Sequence, residues 1–357
     1  MNLIIGTYTE HLLYTHGKAD GILTAPFDAA TGRIGPVTSL IDARNPSYLT
    51  ISASGEHLYA VNETFSFEDH GSGGITAYAR DAQTGGLTRL NTRPSLGVSP
   101  CHIAIDATGR FVLAANYGLE SGSVTVYRIE TDGSLGDLTD HIQHAGSGPD
   151  PIRQATSHAH MIANDPQTGD ILVTDLGADA VLVYSLDETG CLTPKTTSRL
   201  DATPGAGPRH LAFHPDGQHL FVVNELDNTV RTLRRKADSF EPVDRSSTLP
   251  PDVRRHSQAA AIRVTPSGRH VLVSNRGHDS IAVLRFNDDT STLTLTGTTS
   301  SGGEQPRDLI VTPDGRHVIC ADQDSGLLVS YEFDEDTATL HPLHSAVAPT
   351  PVCLTFG

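Results

Sequence analysis

Histidine, arginine and glutamate residues stand at repeated positions of this chain, directly before or after short apolar segments. The most suggestive of them are His158, His160, Arg209, Glu225 and Arg276. An imidazole or a carboxylate can take a proton from water, and a guanidinium can stabilise an oxyanion or hold an anionic group in a planar fork. These five residues are therefore our candidates for the catalytic groups of a hydrolytic site.

A second set of polar residues occupies the same repeated positions elsewhere in the chain. The residue types there differ from one repeat to the next, as expected where binding groups are added without disturbing a fold. The predicted substrate-binding residues are Glu63, His102, Tyr117, His210, Asn275 and Gln323. Asn275 also belongs to a series for which we favour a structural role, hydrogen bonding to loop amides. That series is Asn62, Asn116, Asp175, Asn224, Asn275 and Asp322.

His158 and His160 are two residues apart, so both rings would lie on one face of a strand, as in a metal-binding pair. The sequence assures no third ligand, and we predict no metal and no cofactor for this site. The chain contains neither a GxSxG nucleophile motif nor a glycine-rich phosphate loop followed by a helix. Histidines at turns, including His57, His219 and His270, are expected on the surface.

An internal repeat reveals the elements that must position these residues. Segments such as GPRHLAFHPDGQHLFVVNE and QPRDLIVTPDGRHVICADQ recur about every 50 residues, the length of one four-stranded propeller blade. Each copy has a short apolar strand, a tight turn with glycine, and a second strand that is apolar almost throughout. We number the six full copies as blades one to six after their turn glycines, which are Gly55, Gly109, Gly169, Gly217, Gly268 and Gly315.

The two ends of the chain supply the parts of a seventh copy. The C-terminal TPVCLTFG matches a first strand, and the N-terminal NLIIGTYT with GILTAPFDAATGRIGPV matches the other three. Pairing them would remove two exposed sheet edges. The sequence therefore predicts an all-β fold: one seven-bladed β-propeller domain over residues 1–357, with four antiparallel strands per blade and a ring closed by its termini. The alternative is an open array with two incomplete half-blades.

In such a propeller the first strand of each blade lines the central channel. The starts of the first strands and the ends of the second strands then meet at one mouth of the channel, and the candidate catalytic residues fall in blades three to five. This placement depends on the repeat register, because a slip of one residue would turn a side chain to the other face.

The chain carries a formal net charge of −17, which disfavours nucleic acid and anionic membranes as partners. An anionic small substrate would need a local basic cluster.

The four cysteines lie far apart and indicate reduced thiols. The N-terminus lacks the features of a signal peptide, and no apolar run approaches membrane-span length. We expect a cytoplasmic protein without membrane contact, and the sequence indicates no oligomeric state.

Several segments resemble the lactonase family of seven-bladed propellers, which includes 6-phosphogluconolactonases of the cycloisomerase-2 type and a carboxy-muconate cyclase. The resemblance is carried by SHAHMIANDP, GAGPRHLAFHPDG, FVVNELDNTV and SNRGHDSIAV, and it spans nearly the whole chain. It implies hydrolysis of 6-phospho-D-glucono-1,5-lactone to 6-phosphogluconate in the pentose phosphate pathway. The active-site residues that it implies fall on His158 or His160, Arg209, Glu225 and Arg276.

Our mechanistic hypothesis assigns the activation of water to Glu225, assisted by His160. Arg209 or Arg276 would stabilise the oxyanion, and the other arginine would hold the phosphate of the substrate. The sequence is equally consistent with either distribution of the two arginine roles.

The proton for the leaving alkoxide would come from His158 or His210.

Two other functions remain open. One is a cycloisomerase that opens or closes a muconate-type lactone, with arginines binding its carboxylates. The other is a non-catalytic propeller that binds a protein or a sugar acid.

Overall fold

The computed structural model describes residues 1–12 and 15–357, and of Ser198 only the backbone. Seven antiparallel sheets follow one another around a central channel, and the innermost strand of each sheet contacts the innermost strands of its two neighbours. The predicted all-β, seven-bladed propeller is therefore confirmed. The described residues include no helix that is both long and apolar enough to cross a membrane.

Blades one to six each contain four strands that run outward from the channel in chain order. The strands of blades one to three are Leu49–Ile51, His57–Asn62, Gly74–Arg80 and Leu87–Pro94; Pro100–Ile105, Phe111–Asn116, Ser123–Ile129 and Leu135–Gln143; and Ala159–Asn164, Ile171–Asp175, Ala180–Leu186 and Leu192–Asp201. The strands of blades four to six are Pro208–Phe213, His219–Asn224, Thr229–Lys236 and Ser239–Ser247; Gln258–Val264, His270–Arg276, Ser280–Asn287 and Thr292–Ser300; and Pro306–Val311, His317–Asp322, Leu327–Asp334 and Thr339–Val347.

Blade seven is built from both ends of the chain, as the sequence predicts. Its innermost strand, Pro351–Phe356, pairs with Asn2–Thr7, and the blade continues through Gly21–Asp28 to Thr38–Asp42. The short strands beside it are His11–Leu12, Thr15–His16 and Arg33–Ile34. Because the C-terminal strand hydrogen-bonds to the N-terminal one, the ring has no open sheet edge at this junction.

The core lies between the blades and is divided into separate apolar clusters. One cluster joins Phe221 and Val223 of blade four to Val273 and Phe286 of blade five, all of them buried. The second strands are apolar on both faces because a neighbouring blade covers each face. This explains the nearly continuous apolar segments in the sequence.

The turn glycines adopt the backbone conformation that the repeat predicts. Gly217 has a φ of 67° and Gly268 a φ of 79°, a region that side chains with a Cβ rarely occupy. At Gly268 there is a second constraint, since an added Cβ would lie 2.2 Å from His214 Nε2 of blade four. The turns of neighbouring blades are thus in direct contact.

Four of the Asn and Asp residues that end the second strands are buried clamps for the loops around them, namely Asn62, Asn116, Asp175 and Asn275. Asn275 is fully buried, donates to the Thr248 carbonyl at 3.1 Å and accepts the Thr248 hydroxyl at 2.7 Å. Asn116 donates to the Ser95 carbonyl in the same way, at 3.0 Å. This corrects the prediction that Asn275 binds substrate, because both ends of its amide are engaged in loop contacts.

Candidate active site

A β-bulge at the start of the first strand aims one side chain of most blades at the channel. In blade four, Pro208 pairs with Asn224 and His210 with Val223, so Arg209 has no partner across the strands. An extra, unpaired residue bends the strand and changes the direction of its side chain. The equivalent bulge residues in blades two, three and six are Cys101, His160 and Arg307.

The bulge also corrects the predicted register of blade three by one residue. The sequence comparison placed His160 level with His102 and His210, but the pairing of Met161 with Thr174 makes Met161 their equivalent. His160 therefore lies one step nearer the mouth than the other two histidines. The repeat alone did not show this shift, because blade three has one extra residue between its first strand and its turn glycine.

The deeper residues close the channel below the bulges. The Tyr48 ring lies against His102 at a centroid distance of 4.0 Å, and His210 meets both rings edge-on. His102 faces a separate cavity of about 840 Å³ that is lined by turns such as the one at Thr108, at the opposite mouth. His102 and His210 do not line the cavity at the predicted mouth, which differs from their predicted placement, and His210 instead borders a small void that it shares with His160 and Arg209.

The predicted mouth contains a cavity of about 530 Å³. Its polar lining comes from all six numbered blades and from the loops between them. The residues that line it are Glu63, Phe65, Ser99, Cys101, Tyr117, Gly118, Leu119, Arg153, His160, Glu225, Gln258, Arg276, Gln305, Arg307, Gln323 and Asp324. Of the predicted residues, the structure brings together Glu63, Tyr117, His160, Glu225, Arg276 and Gln323 here.

Glu225 is the centre of a buried ionic cluster. One of its oxygens accepts from Arg153 at 2.5 Å, and the other accepts from Arg276 at 2.7 Å and from Arg209 at 3.1 Å. Arg209 also donates to the Ala260 carbonyl at 2.8 Å, beneath the cavity. A single carboxylate thus orients three guanidinium groups.

Arg153 reaches this cluster from the loop that joins blades two and three. The Asp150 carboxylate accepts the backbone N–H groups of Ile152 and Arg153, which fixes a tight turn at the base of the side chain. Arg153 then extends past the Tyr117 hydroxyl, at 3.4 Å, to Glu225. Arg153 thus contributes its guanidinium group to the site, while Asp150 fixes the backbone from which that side chain extends.

Positive charge is in excess in this part of the molecule. Four arginines, which are Arg153, Arg209, Arg276 and Arg307, face three carboxylates, which are Glu63, Glu225 and the exposed Asp324. Burial and the nearby Arg276 and Arg307 charges lower the pKa of Arg209 to about 9. Burial also lowers the pKa of Arg276, and Arg307 adds to that effect. A bound anion would relieve this repulsion, so the cavity has the local basic character that an anionic substrate requires.

The two buried ionisable groups facing the cavity have opposite protonation behaviour. Burial would raise the pKa of Glu225, but the three arginines outweigh it and hold that pKa well below its usual range. The pKa of His160 is lowered well below its usual range by burial and by Arg209. Glu225 is therefore ionised and His160 is neutral at pH 7.

His160 has a ring nitrogen that is not engaged in a hydrogen bond. Its Nδ1 is buried without a hydrogen-bond partner, and its ring meets Tyr117 and His210 edge-on, at centroid distances of 5.9 and 5.2 Å. By contrast, His158 stacks flat on Tyr117 at 4.2 Å, and its Nδ1 donates to the Tyr117 carbonyl. His158 lies outside the cavity lining and fixes Tyr117 in place.

A second polar cluster faces the Glu225 cluster across the cavity. The Tyr8 hydroxyl donates to Glu63 at 2.9 Å and accepts from Arg307 at 2.8 Å, while Ser47 donates to the same Glu63 oxygen at 2.5 Å. Arg307 also contacts Gln323 at 3.4 Å. This cluster presents a third guanidinium to the cavity, that of Arg307, beside those of Arg153 and Arg276.

Sequence reasoning overlooked three residues of the site. Tyr8 stands at the repeat position of Tyr117 and Glu225, and Arg307 stands at that of Arg209, so the register contained a signal for both. Arg153 lies in a loop outside the repeat, and no feature of the sequence distinguishes it.

The family to which these features belong is identified by a comparison with protein-family models. The model described as "Lactonase, 7-bladed beta-propeller" matches residues 2–356. This chain belongs to the lactonase family. The family resemblance seen in the sequence is therefore confirmed over the whole propeller.

Known lactonase relatives match the chain over most of its length. A 6-phosphogluconolactonase of Bacillus subtilis is 36% identical over 308 residues, which is 86% of this chain and 83% of the relative. Among solved structures, a periplasmic gluconolactonase of Pseudomonas aeruginosa has a TM-score of 0.92 at 28% identity, covering 99% of this chain and 98% of its own. A putative 6-phosphogluconolactonase of Bacteroides fragilis has a TM-score of 0.89 at 31% identity, covering 100% and 97%.

Proposed function

We propose that this lactonase hydrolyses an anionic sugar-acid lactone, 6-phospho-D-glucono-1,5-lactone, to 6-phosphogluconate. The observation that carries the proposal is the excess of arginine over carboxylate around a cavity that also contains a neutral histidine. Guanidinium groups bind phosphate in a planar fork, and an imidazole transfers protons near neutral pH. The curated relative at 36% identity, a 6-phosphogluconolactonase, supports the same substrate.

His160 is the group that we assign to proton transfer. Its neutral ring takes a proton from water as the water oxygen bonds to the lactone carbonyl carbon. The imidazolium then returns that proton to the ring oxygen as the carbon–oxygen bond of the lactone breaks. This revises the hypothesis that Glu225 is the base, because a carboxylate bound by three guanidinium groups has little affinity for a proton.

The arginines divide between the reacting centre and the phosphate. Arg276 lines the cavity in blade five, the second blade beyond that of His160, and we assign it to the developing oxyanion. Arg153 and Arg307 both line the cavity and hold the phosphate. Arg209 lies beneath the cavity, so it acts as a positioning residue for Glu225.

Substrate binding itself would improve His160 as a base. In the free protein the nearby arginine charges lower the pKa of His160. A phosphate with nearly two negative charges at neutral pH would offset those charges and bring the pKa of His160 nearer to its ordinary value. Catalysis would then be best for a substrate that carries the phosphate.

The test is to compare the hydrolysis of 6-phosphogluconolactone and gluconolactone, with spontaneous opening subtracted. Two charge-assisted hydrogen bonds to the phosphate should favour the phosphorylated lactone by at least about 100-fold in kcat/KM. In Arg153→Ala this preference should shrink, while hydrolysis of gluconolactone changes little. Equal rates for the two lactones would instead favour a gluconolactonase, the activity named for the Pseudomonas structure.

The remaining alternatives give different outcomes in the same assay. A protein that hydrolyses neither lactone but consumes a muconate, seen as loss of its absorbance, would be a cycloisomerase. A protein inactive toward all three compounds that still binds 6-phosphogluconate would be a binding propeller.

A further inference from the structure

Two histidines and an aspartate meet at a turn of blade four, on the side of the propeller away from the candidate active site. They belong to the segment HPDGQH, which joins the first and second strands of that blade. His214 Nδ1 lies 2.9 Å from one Asp216 oxygen, and His219 Nδ1 lies 2.9 Å from the other. The three ligand atoms that these residues offer lie within 4.8 Å of one another.

The hydrogen bond on the far side of the His214 ring fixes which nitrogen can donate. His214 Nε2 contacts the Gly268 carbonyl at 3.2 Å, and a carbonyl oxygen only accepts, so Nε2 carries the proton. In the neutral ring Nδ1 then has a lone pair, and the Asp216 backbone N–H donates to it at 3.3 Å. The Nδ1 atom also lies 2.9 Å from a carboxylate oxygen of Asp216. Because both atoms then present lone pairs, they repel each other unless a cation lies between them.

In both rings the nitrogen that faces away from Asp216 has a hydrogen-bond partner, as it usually does in metal-binding histidines. A histidine ligand almost always donates its other ring N–H to a carbonyl, carboxylate or water, which fixes the tautomer. His214 has the Gly268 carbonyl in this role, and His219 Nε2 lies 2.9 Å from the Ser291 hydroxyl. Both side chains are more than 90% buried, while Asp216 is exposed and leaves a path for an ion.

His214 has a different role in its turn from that of the equivalent residue in blade six. That residue is Thr312, whose hydroxyl accepts the backbone N–H of His317 and closes the turn. In blade four the corresponding N–H, of His219, goes to Asp216 instead, at 3.2 Å. His214 accepts the backbone N–H of Asp216 at 3.3 Å and makes no bond to the N–H of His219.

We propose that His214, Asp216 and His219 bind a divalent transition-metal ion of the Zn²⁺ type. Two imidazole nitrogens and one carboxylate oxygen match the ligands that Zn²⁺ takes in proteins, with a water at the fourth position. The ion would connect the blade-four turn to blade five through the Gly268 and Ser291 contacts. Its role would be structural, because the catalytic cavity opens at the other mouth.

The experiment is a calorimetric titration of chelator-treated, tag-free protein with Zn²⁺, repeated with Co²⁺ to record its absorption spectrum. The parent protein carries Cys191→Ser and His16→Gln, since an exposed thiol and the neighbouring His11–His16 pair are competing sites. We expect one equivalent to bind with a Kd in the micromolar range or tighter. At 100 times the Kd, Zn²⁺ should raise the unfolding temperature by about 3 °C.

Three substitutions make the test specific. His214→Gln and Asp216→Asn should each weaken Zn²⁺ binding by at least about 10-fold. Asp216→Asn keeps an oxygen for the turn N–H of His219, so this variant remains folded. His57→Gln is the matched control, because His57 begins the second strand of blade one as His219 does in blade four, and it should bind Zn²⁺ like the parent.

Two results would overturn the proposal. One is a parent protein that binds no Zn²⁺ at concentrations up to about 1 mM, where even weak metal sites fill. Asp216→Asn would then lower the unfolding temperature equally with and without metal, which identifies a protonated His214–Asp216 pair. The other is undiminished binding in both His214→Gln and Asp216→Asn, which would locate the ion elsewhere.

Discussion

His160 and Glu225 show how the surroundings of a side chain decide its role. Both face the same cavity and both are buried. Three guanidinium groups keep Glu225 ionised, whereas burial and the same positive charges keep His160 neutral. Residue types alone favoured the carboxylate as the base. The charges around each group favour the imidazole instead, which is the basis of our proposal that His160 moves the proton.

Replacing His160 tests its role in proton transfer. His160→Gln should lower kcat by about 10²–10⁴, the usual contribution of a general acid–base group, with KM changed much less. Corrected initial rates with 6-phosphogluconolactone measure both constants. His341→Gln, at an exposed histidine of the outermost strand of blade six, is the control and should leave both unchanged. Full activity in His160→Gln would remove His160 from the mechanism.

Glu225→Gln separates a charge-balancing role from a catalytic one. Without the carboxylate, the buried Arg209 and Arg276 and the half-buried Arg153 lose their common partner, which should cost about 3–5 kcal/mol of unfolding free energy. Added phosphate should restore more stability to this variant than to the parent, because the anion replaces the lost charge. Thermal melts with and without phosphate measure both effects.

Glu10→Gln is the control for that experiment. Its ion pair with Arg44 is exposed, so its loss should change stability by less than about 1 kcal/mol and should not alter the response to phosphate. An equal response to phosphate in Glu225→Gln and in the parent would contradict the charge-balancing role.

At the scale of elements, most second strands end in a buried Asn or Asp that binds a neighbouring loop, and most first strands begin with a bulge. The residue after that Asn or Asp faces the cavity in several blades, as Tyr117 does after Asn116 and Arg276 after Asn275. The bulge turns Arg209 and His160 toward the mouth. Structural and functional residues therefore alternate along the same short segment, which explains why Asn275 resembled a binding residue.

Asn275→Ala tests the clamp. Removing the amide leaves the buried Thr248 carbonyl and hydroxyl without these partners, at a cost of about 1–3 kcal/mol, or roughly 1–4 °C in unfolding temperature. KM should change less than about twofold. Asn287→Ala, at an exposed turn of the same blade, should be neutral. A large rise in KM with unchanged stability would restore Asn275 as a binding residue.

At the scale of the whole molecule, closing the ring joins the two ends of the chain in one sheet. Leu3 pairs with Phe356 and Ile5 with Leu354 across that junction. Leu3, Ile5 and Leu354 are almost completely buried. The contact between the ends is therefore part of the core and cooperates with every blade.

Deleting residues 351–357 tests this closure. The deletion exposes the edge of Asn2–Thr7 and the buried apolar side chains of Leu3 and Ile5, so the protein should lose its cooperative melt and associate. Size-exclusion chromatography and thermal unfolding measure this. Supplying the missing strand as a peptide should partly restore the melt. A truncated protein that stays monomeric and melts as before would show that the closure is dispensable.

The channel histidines make the stability of the whole molecule depend on pH. Burial lowers the pKa of His102 to about 3 and lowers those of His160 and His210 well below their usual range. The unfolded chain therefore binds more protons below about pH 6.5, so stability falls as the pH drops, by about 1.4 kcal/mol per unit for each histidine. Denaturant unfolding between pH 7 and 5 should show this slope, and His102→Gln should reduce it by one such increment.

The sequence by itself determined the architecture of this protein. Glycines such as Gly217 impose a local backbone conformation, and the second strands are apolar because both their faces are covered. These are short-range properties, so the number of blades, the strand order and the closure by the termini could all be predicted from the repeat.

Only the tertiary structure decided the composition and charge of the site. His160 is the bulge residue of blade three, whereas His102 follows the bulge residue of blade two, a one-residue difference that the spacing of apolar positions does not record. Arg153 joined Glu225 from 72 residues away along the chain. The protonation of Glu225 and His160 depends on burial and on charges from several blades together. These charges come close to one another only when the ring has closed.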